Sequence, residues 1–230
     1  MWYRFSQEQT QEQPKDSLHI FDIDDTLFHT NAKIDVIDPM GNVVQSLTNQ
    51  EYNNHSLPEG YSYNFDQFKD ASKFAKESNP MDAMLSKVRK IYQNVQNKNA
   101  TQGTDSKVIL STARSDFDNK DTVIKFFRDH GIPIDEGIHL HRAGNIPGRE
   151  SPAEKKNFIL QSKYLTPGHN FKSVHFYDDS TKNLDEFLKI QGSHPGVDLK
   201  AFHVRPDGST KTWNQRAREQ YLQENPLYNP

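Results

Sequence analysis

The chain has 230 residues, of which 33% are hydrophobic and 26% charged, with 28 Lys and Arg against 31 Asp and Glu and a formal net charge of −3. Cysteine is absent, which excludes disulfides, thiol nucleophiles and Cys-ligated zinc. The near-balanced charge argues against bulk electrostatic binding to nucleic acid and leaves only a local basic groove. No apolar run approaches the roughly 18 residues of a membrane-spanning helix, and the Gln- and Glu-rich start lacks the apolar stretch of a signal peptide, so a cytoplasmic protein with no membrane partner is expected.

In chain order, residues 1–16 read as a polar lead-in, and 17–230 as one domain that carries an insertion at 32–105. The segment 17–23 reads as a buried strand that carries Asp22 and runs into Asp24-Asp25. Residues two apart on a strand share a face, so Asp22 and Asp24 can serve one site. Within the insertion, 32–38 and 43–47 flank turn chemistry at Pro39-Met40-Gly41-Asn42 and form a hairpin, the start of a small cap over about 32–75. Tyr61, Tyr63, Phe65 and Phe68 form an aromatic stretch, read as core in preference to a base-stacking platform. Met81, Met84, Leu85, Val88, Ile91, Tyr92 and Val95 recur at helical steps and predict a helix over about 80–96, followed by a polar loop to Ser106.

Beyond 107 the pattern turns regular. Lys107–Ser111 is a strand, Val123–Phe127 lies on a helix ending at His130-Gly131, and 137–140 is a short strand. Ser151-Pro152-Ala153-Glu154 is a capping box with proline at the first helical position. Lys172–Tyr177 is a strand that runs into Asp178-Asp179; Leu184, Phe187 and Leu188 mark a helix, and 199–204 a last strand. Strands alternating with helices predict an α/β fold: a Rossmann-like three-layer sandwich with a central parallel sheet and a small cap insertion after the first strand. Sites in such sheets lie outside the carboxyl ends of the strands, where Asp22, Thr112 and Asp178 all fall. Clustered oxygen donors without Cys suit Mg²⁺, a nearby lysine balances charge, and a hydroxyl and an arginine suit phosphate oxygens.

These residues resemble a known family. Asp22-Ile23-Asp24-Asp25-Thr26-Leu27 looks like the first motif of the haloacid dehalogenase-like phosphatases; Val108 to Arg114, ending Ser111-Thr112-Ala113-Arg114, resembles the second; Lys155 or Lys156 the third; and Phe176-Tyr177-Asp178-Asp179 the fourth. The resemblance implies a phosphoric monoester hydrolase in which Asp22 is the nucleophile that forms an aspartyl-phosphate and Asp24 is the general acid and base. It implies that Thr112 bonds the transferring phosphoryl group, and that Asp22, the carbonyl of Asp24, Asp178 and Asp179 hold Mg²⁺. Lys155 and Lys156 lie about 100° apart on their helix, so only one faces the site; Lys155 is preferred as the charge-neutralising lysine, with Lys156 and Arg114 as substrate-binding groups. Asn183 is at best an outer hydrogen-bonding group.

A short cap leaves the site open to bulky esters. The Thr112-Ala113-Arg114 sequence is also similar to the phosphatase half of polynucleotide kinase–phosphatases, so a phosphorylated small molecule, a nucleotide or a nucleic-acid end is the expected partner. No G-x-x-x-x-G-K-[ST] loop of a kinase half is present. The competing expectation is a catalytically idle binding or scaffold module on the same fold. The oligomeric state is not legible.

Overall fold

The computed structural model describes residues 15–53, 55–149 and 151–225. Nearly all of the polar lead-in therefore lies outside the described residues. The chain runs through β1 (Asp16–Phe21), β2 (Phe28–His29), β3 (Ile34–Ile37), β4 (Val43–Leu47), α1 (Asn49–Asn53), β5 (Ser62–Asn64), α2 (Ala71–Glu77), β6 (Asn79–Pro80) and α3 (Asp82–Gln102). It continues through β7 (Lys107–Thr112), α4 (Lys120–Asp129), β8 (His139–Arg142), α5 (Pro152–Lys163), β9 (Phe171–Asp178), α6 (Thr181–Lys189), β10 (Asp198–Val204), β11 (Thr210–Trp213) and α7 (Gln215–Glu224).

Six strands form the main sheet in the order β11-β10-β9-β1-β7-β8. All neighbouring pairs are parallel except β10 with β11, so the expected parallel sheet carries an antiparallel edge. Helices cover both faces, and alternation along each strand sorts the core into two clusters. Leu18 and Ile20 of β1, Ile109 of β7 and Val174 and Phe176 of β9 pack with Leu160, Leu184 and Phe187 of α5 and α6. Phe21, Val108, Leu110 and Tyr177 face Met84, Leu85 and Val88 of α3 and Phe126 and Phe127 of α4. This is the α/β three-layer architecture expected from the alternation of strands and helices. No helix among the described residues is long and apolar enough to cross a membrane.

The insertion divides in two. β3 pairs antiparallel with both β4 and β5 in a separate three-stranded sheet, closed by its own cluster of Ala32, Ile34, Val36, Leu47 and Phe68. The expected hairpin is thus joined by a third strand, β5. Phe74 of α2 and the apolar stripe of α3 belong to the main core instead.

Two local expectations are corrected, and two elements are added. Asn79-Pro80 does not open α3 but pairs with Phe28-His29 as a two-residue ladder. The polar stretch after Gln96 is helix as far as Gln102, because solvent-facing turns need no apolar residue; the helix stops at Gly103, which takes a left-handed φ of 65° and caps Asn99 through its N–H. β11 and α7 carry no strong apolar period: Trp213 and Ala217 alone are buried along them, and they escape sequence patterning.

Candidate active site

The ends of β7, β1 and β9 lie side by side, with Phe21 in register with Leu110 and with Tyr177. The N–H of Asp22 donates to the carbonyl of Tyr177 at 2.9 Å, which fixes the exit of β1 against β9. Beyond it the chain makes one tight turn. The N–H groups of Thr26, Leu27 and Phe28 all donate to the carbonyl of Ile23, at 3.3, 2.8 and 3.1 Å. Asp25 takes a left-handed φ of 55°, a conformation a short polar side chain tolerates. This turn sends Asp22 and Asp24 to different partners.

Asp22 keeps the strand parity of Leu18 and Ile20, and Asp178 that of Val174 and Phe176, so both point toward the α5 face. There the carboxylates of Asp22, Asp178 and Asp179 place oxygens within 4.8 Å of one another. Lys156 of α5 donates to Asp22 Oδ1 at 2.6 Å and to Asp178 Oδ2 at 2.7 Å. Asp178 also accepts from Asn183 Nδ2 at 2.9 and 3.0 Å and from the N–H of Ser180 at 2.9 Å. Asp179 accepts from Thr26 Oγ1 at 3.2 Å, and its N–H donates back to the same hydroxyl at 3.1 Å.

The electrostatics of this cluster are unbalanced. Burial pushes the Asp22 carboxyl up to about 8; Lys156 pulls against the rise, while Asp178 and Asp24 add to it. Asp179 is held well above the usual carboxylate range by burial and by the charges of Asp178 and Asp22. Burial disfavours the Lys156 ammonium, but Asp178 and Asp22 outweigh it and its pKa is raised. Taken with Lys156 alone, the three acids carry an excess of two negative charges that protons or a cation must meet.

Asp24 has a different setting. Arg114 grips it in a fork, with Nε 3.1 and 2.9 Å from its two oxygens and Nη2 2.6 Å from Oδ1. Thr112 Oγ1 donates to Asp24 Oδ2 at 3.3 Å and accepts the N–H of Arg114 at 3.1 Å. The guanidinium also donates to Thr30 Oγ1 at 3.0 Å and to the carbonyl of Phe68 at 2.7 Å, and it stacks on Phe68, Phe74 and Phe117 at 4.6, 4.7 and 5.3 Å.

Set against the sequence, the structure brings Asp22, Asp178, Asp179 and Lys156 together, and Asp24, Thr112 and Arg114 into an adjoining group. Two assignments are corrected. Lys156, not Lys155, reaches the acids: it shares the buried stripe of α5 with Ala153, Asn157 and Leu160 and is 5% exposed, whereas the apolar Phe158 on the same helix is 39% exposed. The spacing Ala153–Lys156–Leu160 was the available signal. Lys155 lines the wall of the adjoining cleft instead. Arg114 does not present a free guanidinium to a phosphate, because four of its five N–H groups are engaged by Asp24, Thr30 and Phe68 and the residue is buried. The carboxylate of Asp24 likewise stands outside the three-acid cluster, so any metal contact from this residue falls to its carbonyl.

Sequence reasoning missed two contributors. Thr26 latches β1 to Asp179 through the bonds given above. Gly144 donates its N–H to the carbonyl of Arg114 at 3.0 Å, and a Cβ there would stand 2.5 to 2.7 Å from backbone atoms of residues 113–115, so only glycine lets this loop lie against the arginine segment. Both groups open on a cleft of about 1690 Å³ that runs from Asp22, Asp24 and Asp179 to the small sheet of the insertion.

No family model and no curated protein matches the chain. The likeness to polynucleotide kinase–phosphatases therefore gains no support from relatives. Among solved structures the chain is similar to the HAD domain of effector protein Lem4 from Legionella pneumophila, at 11% identity and a TM-score of 0.47, over 93% of this chain and 97% of that one.

Proposed function

We propose that the chain is a Mg²⁺-dependent phosphatase of the haloacid dehalogenase-like kind, which hydrolyses a phosphate monoester through Asp22. The observation that carries this reading is the unbalanced cluster of Asp22, Asp178 and Asp179 around Lys156, set beside an Asp24 that has its own arginine. The donor set fits Mg²⁺: carboxylate oxygens, an excess of two negative charges, and no sulfur or imidazole among them. When bound, the ion would be held by Asp22, Asp178, Asp179 and the Asp24 carbonyl, and would supply positive charge against the phosphate oxygens.

Asp22 attacks phosphorus through a carboxylate oxygen, and the bond from phosphorus to the ester oxygen breaks. Asp24 acts as general acid toward that oxygen, which departs as the alcohol. Water then attacks the aspartyl-phosphate, Asp24 takes a proton from it, and phosphate leaves Asp22 free again. Lys156 holds Asp22 in line and offsets its charge. Arg114 and Thr112 keep the Asp24 carboxyl where both proton transfers need it.

The test is release of p-nitrophenol from p-nitrophenyl phosphate, with Mg²⁺ and with chelator, by the native protein and Asp22→Asn. The expected outcome is Mg²⁺-dependent turnover that falls by about 10³-fold or more in Asp22→Asn while the circular dichroism spectrum is unchanged. Absent turnover sinks the reading and leaves a binding module on the same fold; turnover indifferent to Asp22 sinks the assignment of the nucleophile.

A further inference from the structure

We propose that the wall of the cleft formed by the small sheet is a seat for a planar ring. The substrate would then be a phosphate monoester whose alcohol half carries an aromatic ring, a nucleobase or a phenol. This rests on the phosphatase reading of the acid cluster and narrows it.

Tyr52, Tyr63 and Phe65 line the same cleft as Asp22 and Asp24. Tyr52 meets both Tyr63 and Phe65 edge to face, and Tyr63 and Phe65 are tilted against each other. Tyr52 and Tyr63 have centroids 4.9 Å apart at 78°, Tyr52 and Phe65 5.6 Å at 86°, and Tyr63 and Phe65 6.1 Å at 58°. The Tyr63 hydroxyl is fixed 2.8 Å from His55 Nδ1. Such packing makes a rigid platform rather than a mobile flap.

Phe65 is the outer ring. It remains 41% exposed, while Phe68 beside it is 8% exposed and belongs to the core of the small sheet. The aromatic stretch thus splits between core and cleft wall, where the sequence reads it all as core. The other exposed apolar side chains on the hairpin, Met40, Val43 and Val44, do not line the cleft. The platform also lies close to the chemistry. Phe65 and Phe68 have centroids 6.5 Å apart, Phe68 lies 4.6 Å under the Arg114 guanidinium, and that group holds Asp24. A ring on Phe65 would therefore be linked through Phe65 and Phe68 to the arginine that positions the general acid. An aliphatic alcohol has no flat face to match this wall, whereas a base or phenol does.

Binding calorimetry in an Asp22→Asn background, which removes turnover, tests the seat. The paired probes are adenosine 5′-monophosphate against ribose 5-phosphate, and phosphotyrosine against phosphoserine. At least one ring-bearing probe is expected to bind about tenfold or more tightly than its ring-less partner, and Phe65→Leu, added to Asp22→Asn, is expected to erase that ratio without weakening the ring-less one. The pair with the larger ratio identifies the ring as a base or a phenol. Equal affinities within both pairs, or a ratio that survives Phe65→Leu, would overturn the seat while leaving the phosphatase reading standing. Failure of the native protein to hydrolyse any ester would overturn that reading and leave the ring ratio still measurable.

Discussion

Two buried groups of charge stand side by side at the head of the sheet, and they are settled in opposite ways. Asp24 meets Arg114 one to one in a fork, with Thr112 and the ring faces of Phe68, Phe74 and Phe117 closing round it. Asp22 and Asp178 share the ammonium of Lys156, and Asp179 lies beside them bonded to the Thr26 hydroxyl. The first group is complete within the chain; the second asks for positive charge from outside. A closed pair holds a side chain in place, whereas an open cluster recruits an ion. A site that must both fix a proton donor and hold a cation needs one of each.

The sharpest way to separate the two groups is to remove each cation in turn. Lys156→Met and Arg114→Met should each cost about 3 kcal/mol or more in metal-free protein, because each strands a buried carboxylate. Thermal unfolding with Mg²⁺ should then restore much of the loss in Lys156→Met and little of it in Arg114→Met. Equal rescue of both would erase the distinction. Lys155→Met, at the cleft wall, should shift stability by no more than about 0.5 kcal/mol.

A pH series sharpens the same contrast. Asp22 rises from 3.8 to about 8 on folding, so the folded metal-free chain binds more protons than the unfolded chain between these values. Its stability should therefore fall as pH rises from about 4 toward about 8. Saturating Mg²⁺ should flatten that slope, since a cation replaces the proton as the counter-charge. A metal-free stability that climbs steadily over this range contradicts the unbalanced cluster.

A smaller effect than the loss of either cation is expected within the closed group. Gly144→Ala sets a Cβ against the backbone of the arginine segment and should cost about 1–2 kcal/mol, with a several-fold drop in kcat as Asp24 loses its hold. Full activity in this variant would show that the segment yields without moving Arg114.

Much of this arrangement is written in strand parity. Leu18 and Ile20 predict the face of Asp22, and Val174 and Phe176 that of Asp178, because side chains alternate along a strand. The α/β alternation after residue 107 is equally plain. Lys156 is readable from its place between Ala153 and Leu160, once the buried stripe is traced through those residues rather than through Phe158. The clamp on Asp24 is not readable, because Thr30 lies before the insertion and Phe68 within it, and both meet Arg114 only in three dimensions. The tail of α3 and the whole of α7 are hidden for another reason: solvent-facing helix carries little apolar pattern.

The account turns on the claim that the three acids take one divalent cation. Calorimetric titration of Mg²⁺ into chelator-treated native protein and Asp179→Asn addresses it directly. The expected result is one site in the native protein, a clear loss of affinity in Asp179→Asn, and a native melting temperature raised by roughly 5–10 °C at Mg²⁺ near 100 times its dissociation constant. Absence of binding heat together with an unmoved melting temperature at millimolar Mg²⁺ would contradict it.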